Sequence, residues 1–180
     1  QNKTILHAAC DYNSIEIIEI ILQLCKSGAF NINEVDSYDK MSSLHYICKD
    51  GSVSLLNLFV EFEENNKDMI NWNIKSKTGM TPLHVAVENE QVGIVDILLN
   101  NEIVCPHIDI NATATGEFVN GRTPLSFACE KGNLQIVELL LNDKIANEDD
   151  KNDDDNPFTF HSSDHKNKVE RGSLCGAKSE

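Results

Sequence analysis

The side chains with the most chemistry to offer are six histidines, six cysteines and 29 acidic residues, and their spacing decides what that chemistry is. Cys10, Cys48 and Cys129 occupy one place in a recurring pattern, and Val87 fills the same place once. A position that alternates between Cys and Val is a small apolar core site. Cys25 and Cys105 follow apolar clusters, where loops are expected, and Cys175 lies near the end of the chain. No Cys-x-x-Cys pair starts a zinc site. Thiols kept as packing residues imply a reducing compartment, the cytoplasm first and the nucleus as the alternative. His7, His45 and His84 recur at intervals of 38 and 39 residues. If each interval is one packed layer, successive imidazoles lie ~8–10 Å apart, too far to share a metal whose ligands sit ~2 Å from it. His161 and His165 are spaced i, i+4 but lack a third ligand. Glu63 and Glu64 are adjacent, so on a helix they do not face each other, and they read as a solvated loop or helix end. Gly-x-Ser-x-Gly, Walker and Gly-x-Gly-x-x-Gly loops are absent. Asn2-Lys3-Thr4 and Asn111-Ala112-Thr113 match the glycosylation acceptor by chance if the compartment is reducing. The expectation is a chain that is not an enzyme, with no catalytic residues, no metal and no cofactor.

The elements that position these residues come from a repeat. Thr4-Ile5-Leu6-His7-Ala8-Ala9, Ser42-Ser43-Leu44-His45-Tyr46-Ile47, Thr81-Pro82-Leu83-His84-Val85-Ala86 and Thr123-Pro124-Leu125-Ser126-Phe127-Ala128 align without gaps. A second apolar cluster follows each at one constant interval: Ile20-Ile21-Leu22, Leu58-Phe59-Val60, Ile97-Leu98-Leu99 and Leu139-Leu140-Leu141. Between them, sets such as Ile15, Ile17, Ile18 and Val92, Ile94, Val95 recur at three- and four-residue steps. That is the stripe of an amphipathic helix. Thr or Ser at the head is an N-cap. Pro82 and Pro124 then fall at the first helical position, where a missing N–H costs nothing. The first helix stops near Asn13, Gly51 or Gly132, which tolerate left-handed backbone. Glu90 stands there in the third unit and fits less well.

The pattern resembles the ankyrin repeat, whose Thr-Pro-Leu-His-x-Ala signature reads intact from Thr81 to Ala86. Ile32-Asn33, Trp72-Asn73 and Ile110-Asn111 look like the family's apolar-Asn pairs, and Gly79 and Gly121 like its finger glycines. The resemblance implies an all-α fold, an ankyrin-repeat solenoid of stacked helix-turn-helix units joined by β-hairpin fingers. Four repeats are expected within residues 1–147, at about 4–36, 42–73, 81–111 and 123–147, with Thr4, His7, His45, Thr81, Pro82, His84, Thr123 and Pro124 as structural motif residues. The motif histidine is expected to hydrogen-bond the finger backbone, with Ser126 a partial substitute. Trp72, the only tryptophan, is expected to pack at a finger root, with a binding anchor as the alternative. The motif leucines at 6, 44, 83 and 125 give repeats of 38, 39 and 42 residues, longer than the family's ~33. The extra residues are expected between hairpins: Gln23 to Lys26, Glu61 to Asn71, Asn101 to His107 and Thr113 to Val119.

Carried over position by position, the resemblance places partner-binding residues on the finger tips and the outer ends of the first helices. These are Tyr12, Tyr38, Met41, Lys49, Lys77, Met80, Glu88, Phe118, Arg122 and Lys131. Aromatic residues and Met are enriched at interface centres. The expected function is a non-catalytic scaffold or adaptor that binds another protein. The alternative is the regulatory or recruiting region of a larger enzyme or channel. The net charge of −14 argues against nucleic acid and anionic membrane as partners, since both bind through clustered Lys and Arg. No apolar run approaches the ~20 residues of a membrane helix. The first unit begins at its cap with no finger before it, so further repeats are expected upstream; a monomer or a section of a longer array is the expected state. Residues 148–180 read as an acidic linker and a disordered or partly folded tail, because Glu148 to Asp155 holds six acids and one Lys. Asn156-Pro157-Phe158-Thr159 falls where a decayed fifth hairpin would open.

Overall fold

Each unit starts on a hydroxyl residue in extended backbone. Thr4, Ser42, Thr81 and Thr123 have φ between −73° and −97° and ψ between 165° and 169°. The hydroxyls of Thr4, Thr81 and Thr123 accept from the N–H three residues on, at 3.4, 3.4 and 3.3 Å, satisfying donors that a helix start leaves open. Pro82 and Pro124 occupy the first helical position. The computed structural model describes residues 3–149, with side chains up to residue 142. Four helix pairs follow in order: α1 (Ile5–Asp11) with α2 (Ile15–Lys26), α3 (Ser43–Asp50) with α4 (Val53–Asn65), α5 (Pro82–Glu88) with α6 (Val92–Asn100), and α7 (Pro124–Lys131) with α8 (Leu134–Asp149). The turn inside each pair uses left-handed backbone at Asn13 (φ 49°), Gly51 (73°), Glu90 (56°) and Gly132 (72°).

The first helices pack side by side in the order α1, α3, α5, α7, and the second helices in the order α2, α4, α6, α8. One hydrophobic core runs through all four pairs. Leu6, Leu44 and Leu83 are 5%, 3% and 1% exposed, and Leu125 is half-buried against the same core. Ile18, Leu55, Leu98 and Ile136 repeat this burial on the second helices at 0–1% exposure. Trp72 lies in the core at 2% exposure, as its finger-root position suggested. Asparagines tie neighbouring units together. The Asn33 amide donates to the Met69 carbonyl at 2.9 Å and accepts from Asn71 N–H at 2.8 Å. The Asn73 amide does the same with the His107 carbonyl and Asp109 N–H. These are the asparagines of the apolar-Asn pairs.

Several expectations are corrected. Gln23 to Lys26 and Glu61 to Asn65 are not loop: they add a turn to α2 and α4, which have 12 and 13 residues against 9 for α6. The apolar stripe continues through them, since Cys25 is 1% and Phe62 7% exposed. Glu63 is not solvated; it is 2% exposed at the end of α4, while Glu64 is exposed. Cys129 is exposed although Cys10 and Cys48 are buried. Cys10 and Cys48 are covered by the following unit, and α7 has none after it among the described residues. The fingers contain no strands among the described residues, only one antiparallel bridge, Val35 to Ser42. Backbone bonds across each finger close it: Asp36 N–H to Met41 O (2.8 Å), Ser76 N–H to Met80 O (2.9 Å) and Ala114 N–H to Arg122 O (2.9 Å). The helix α8 carries Glu148 and Asp149, where a linker was expected. The acidic stretch beyond it, the fifth hairpin at Asn156, His161, His165 and Cys175 lie outside the described residues.

Candidate functional site

The site begins with what fixes the fingers. His7, His45 and His84 sit inside the stack at 1%, 0% and 0% exposure. Each ring bridges two units. Nδ1 accepts from the N–H of Thr4 (3.1 Å), Ser42 (3.0 Å) or Thr81 (3.2 Å) at its own cap. With Nδ1 as acceptor the proton is on Nε2, which donates to the carbonyl of Met41 (2.9 Å), Met80 (3.0 Å) or Arg122 (3.2 Å) in the next finger. A protonated ring would point Nδ1–H at a backbone N–H, so the arrangement holds only for neutral imidazole. Burial pushes the His45 ring down to about 4, against the pull of the Met80 carbonyl. Burial lowers His7 and His84 in the same direction. In the fourth unit Ser126 replaces the histidine and, among the described residues, reaches only its own cap, Thr123.

Asp36 organises the first finger. It is 3% exposed and accepts from the N–H groups of Tyr38 (2.8 Å), Asp39 (2.9 Å) and Met41 (3.1 Å) and from the Tyr46 hydroxyl (3.2 Å). Burial alone would raise its pKa; those donors outweigh burial and hold the carboxyl below the usual range. Ser76 plays a weaker version in the second finger, accepting from Met80 N–H at 3.2 Å. Neither residue stood out from the repeat pattern. The available signal was their type, since Asp and Ser side chains close turns on their own backbone. The fingers also bond to each other: Lys77 N–H donates to Asp39 O (2.7 Å), and Thr115 and Gly116 N–H to Thr78 O (2.9 and 2.8 Å).

Held this way, the three fingers and the ends of α3 and α5 enclose a groove of about 410 Å³. Of the residues expected to bind a partner, Met41, Lys49, Lys77, Met80, Glu88 and Phe118 line it. Phe118 is 88% and Tyr38 75% exposed, and Lys77 Nζ lies 5.6 Å from the centre of the Tyr38 ring. Met80 is a correction. It was expected as an exposed anchor, yet it is 7% exposed and belongs to the core. Its N–H donates to the Ser76 hydroxyl and its carbonyl accepts from His45, leaving only an edge of the residue on the groove. Tyr12 (83% exposed), Arg122 and Lys131 lie outside the groove; Arg122 pairs with Glu130 and lies over the Phe127 ring. The sequence reading missed Val85 and Glu117, which also line the groove. Val85 is the unspecified position of the Thr-Pro-Leu-His-x-Ala motif, a place where the fold itself demands little. Two lysines and three acids (Asp39, Glu88, Glu117) line the groove. The one cluster of metal-ligating side chains among the described residues, Glu63, Asp68 and His107, is elsewhere.

Comparison with known proteins agrees with this geometry. Residues 5–114 match the family described as ankyrin repeats in three copies, and residues 120–153 match a single ankyrin repeat. A putative ankyrin repeat protein of Fowlpox virus is 38% identical over 66 residues, 37% of this chain and 9% of that protein. The B-cell lymphoma 3 protein homolog of Mus musculus is 31% identical over 97 residues, 54% of this chain and 20% of that protein. The chain therefore spans a fifth or less of the relatives it matches. With its caps, buried histidines and stacked helix pairs, the chain belongs to the ankyrin repeat family.

Proposed function

We propose that the chain is a non-catalytic module that binds a segment of another protein along the groove between its finger tips and the ends of α3 and α5. The observation that carries this reading is convergence: Met41, Lys49, Lys77, Met80, Glu88 and Phe118, chosen one at a time from separate repeats, line one groove. Its lining combines apolar side chains (Met41, Val85, Phe118, Val119) with charged ones of both signs, a mixture suited to a protein interface. Phe118 is the anchor, being the most exposed large apolar side chain among those described. An aromatic left in water at a groove edge is the kind of residue that carries binding energy.

The test starts from a photo-crosslinking aromatic residue at position 118, which identifies the partner. Affinities are then compared for Phe118→Ala, Met41→Ala and, as a control outside the groove, Ile20→Ala on α2. The groove variants are expected to lose tenfold or more, about 1.4 kcal/mol, with the control unchanged. Wild-type affinity in both groove variants would remove the groove from the interface. A regulatory role inside a larger enzyme or channel rests on the same binding property, and the complete gene distinguishes it from a free-standing adaptor.

A further inference from the structure

Glu63 ends α4 with its carboxylate buried, 2% exposed. Its oxygens accept from Asp68 N–H (2.7 Å) and Ile70 N–H (3.0 Å). The ion pairs among the described residues are Lys3 with Asp11 and Arg122 with Glu130, so none of the described basic side chains pairs with it. Burying a carboxylate without a counter-charge is costly, and such groups are ordinarily paired or bound to metal. Two further ligating side chains converge on it. Asp68 is exposed in the loop after α4, and His107 is exposed at the end of the 3-10 turn Cys105–His107 in the next unit. The three ligand atoms lie within 4.8 Å of one another.

We propose that Glu63, Asp68 and His107 form a binding site for a zinc-type divalent transition-metal ion. Bonds of about 2.0–2.2 Å in tetrahedral geometry place ligand atoms about 3.4 Å apart. Reaching that from the observed spacing takes rotation of Asp68 and His107, both free at the surface. Glu63 needs no rearrangement, because the two backbone N–H groups already orient it, as outer-shell partners orient metal ligands. One imidazole with two carboxylates suits zinc, whereas calcium and magnesium favour all-oxygen sets. The fourth position is left to water. All three ligands fall in the extra residues that lengthen the second and third repeats. A bound ion would therefore clamp two insertions together across the unit boundary, beside the Asn73 bridge to the His107 carbonyl.

The test is titration of the chelator-stripped full chain with zinc chloride, followed by calorimetry and thermal melting, with calcium chloride as comparison. One equivalent of zinc is expected to bind with micromolar affinity and raise Tm by several degrees. His107→Ala and Asp68→Asn, both surface changes, are each expected to weaken zinc at least tenfold and abolish the Tm shift. A smaller loss in either variant, no saturable binding, or an equal response to calcium overturns the proposal. Cobalt chloride adds an optical readout: nitrogen and oxygen ligands give weak visible bands, and a strong near-ultraviolet thiolate band would assign the ion to cysteine instead.

Discussion

Between neutral pH and pH 4 the three motif histidines shape how the stack responds to acid. Their values in the folded protein lie below the ordinary one, with His45 at about 4, so the unfolded chain takes up protons first. The stability they lend is complete above pH ~6.5 and is lost as pH falls toward the folded value. For His45 alone the loss is roughly 3 kcal/mol. Urea unfolding at pH 7, 5.5 and 4.5 should show it, and His45→Gln should flatten the slope; an unchanged slope would mean another group carries the effect. Cysteine reactivity sorts by burial in the same way. Burial pushes the Cys10 thiol up to about 12 and also raises Cys25 and Cys48, and the thiolate is the reactive form. A thiol reagent should label Cys129 in the native protein, and Cys10, Cys25 and Cys48 only after unfolding, as mass mapping would reveal.

Helix ends set the next level. Glu90 holds φ at 56°, where the first and fourth units use Asn13 and Gly132 and the second uses Gly51. A side chain with a Cβ is strained there. Glu90→Gly is therefore expected to stabilise by about 0.5–1 kcal/mol, despite losing the contact with Asn133. Gly51→Ala is expected to cost more than Gly132→Ala. Both sit at positive φ, but a Cβ at Gly51 would meet Gln91 Oε1 at 2.1 Å, and nothing lies near Gly132. Moving Gln91 also breaks its bond to the Lys49 carbonyl. Denaturant midpoints for the three variants would rank these effects, and equal losses at the two glycines would refute the crowding argument.

Across the molecule, each hairpin contacts chiefly its neighbours, so stability is close to a sum of unit and interface terms. Leu98 is 0% exposed in the third hairpin, whereas Ile20 is 62% exposed. Leu98→Ala should cost about 3 kcal/mol through lost burial and a cavity, and Ile20→Ala less than about 0.5 kcal/mol. Hydrogen exchange should be slowest in α3 to α6, which have neighbours on both sides, and faster in α1 and α2. Uniform protection would indicate a single cooperative block.

Much of this was legible in the residues. The constant interval from motif leucine to second cluster, the hydroxyl caps and the proline positions are local, and helix periodicity and capping are local physics. They are enough to place the helix pairs and the motif leucines. Depth was not legible, because burial depends on what a neighbouring unit lays over a residue. Met80 and Phe118 both read as finger residues, yet one turned into the core and the other into water. Cys129 shared a repeat position with Cys48 but has no unit above it among the described residues. Glu63 read as a solvated acid until the loop after α4 folded back over it and supplied two N–H groups. Sequence alone settled the repeated unit and how each helix begins, since those need only contacts a few residues apart. Only the stacking of units decided which side chains face out, where the groove opens and which carboxylate is buried, since each depends on residues tens of positions away.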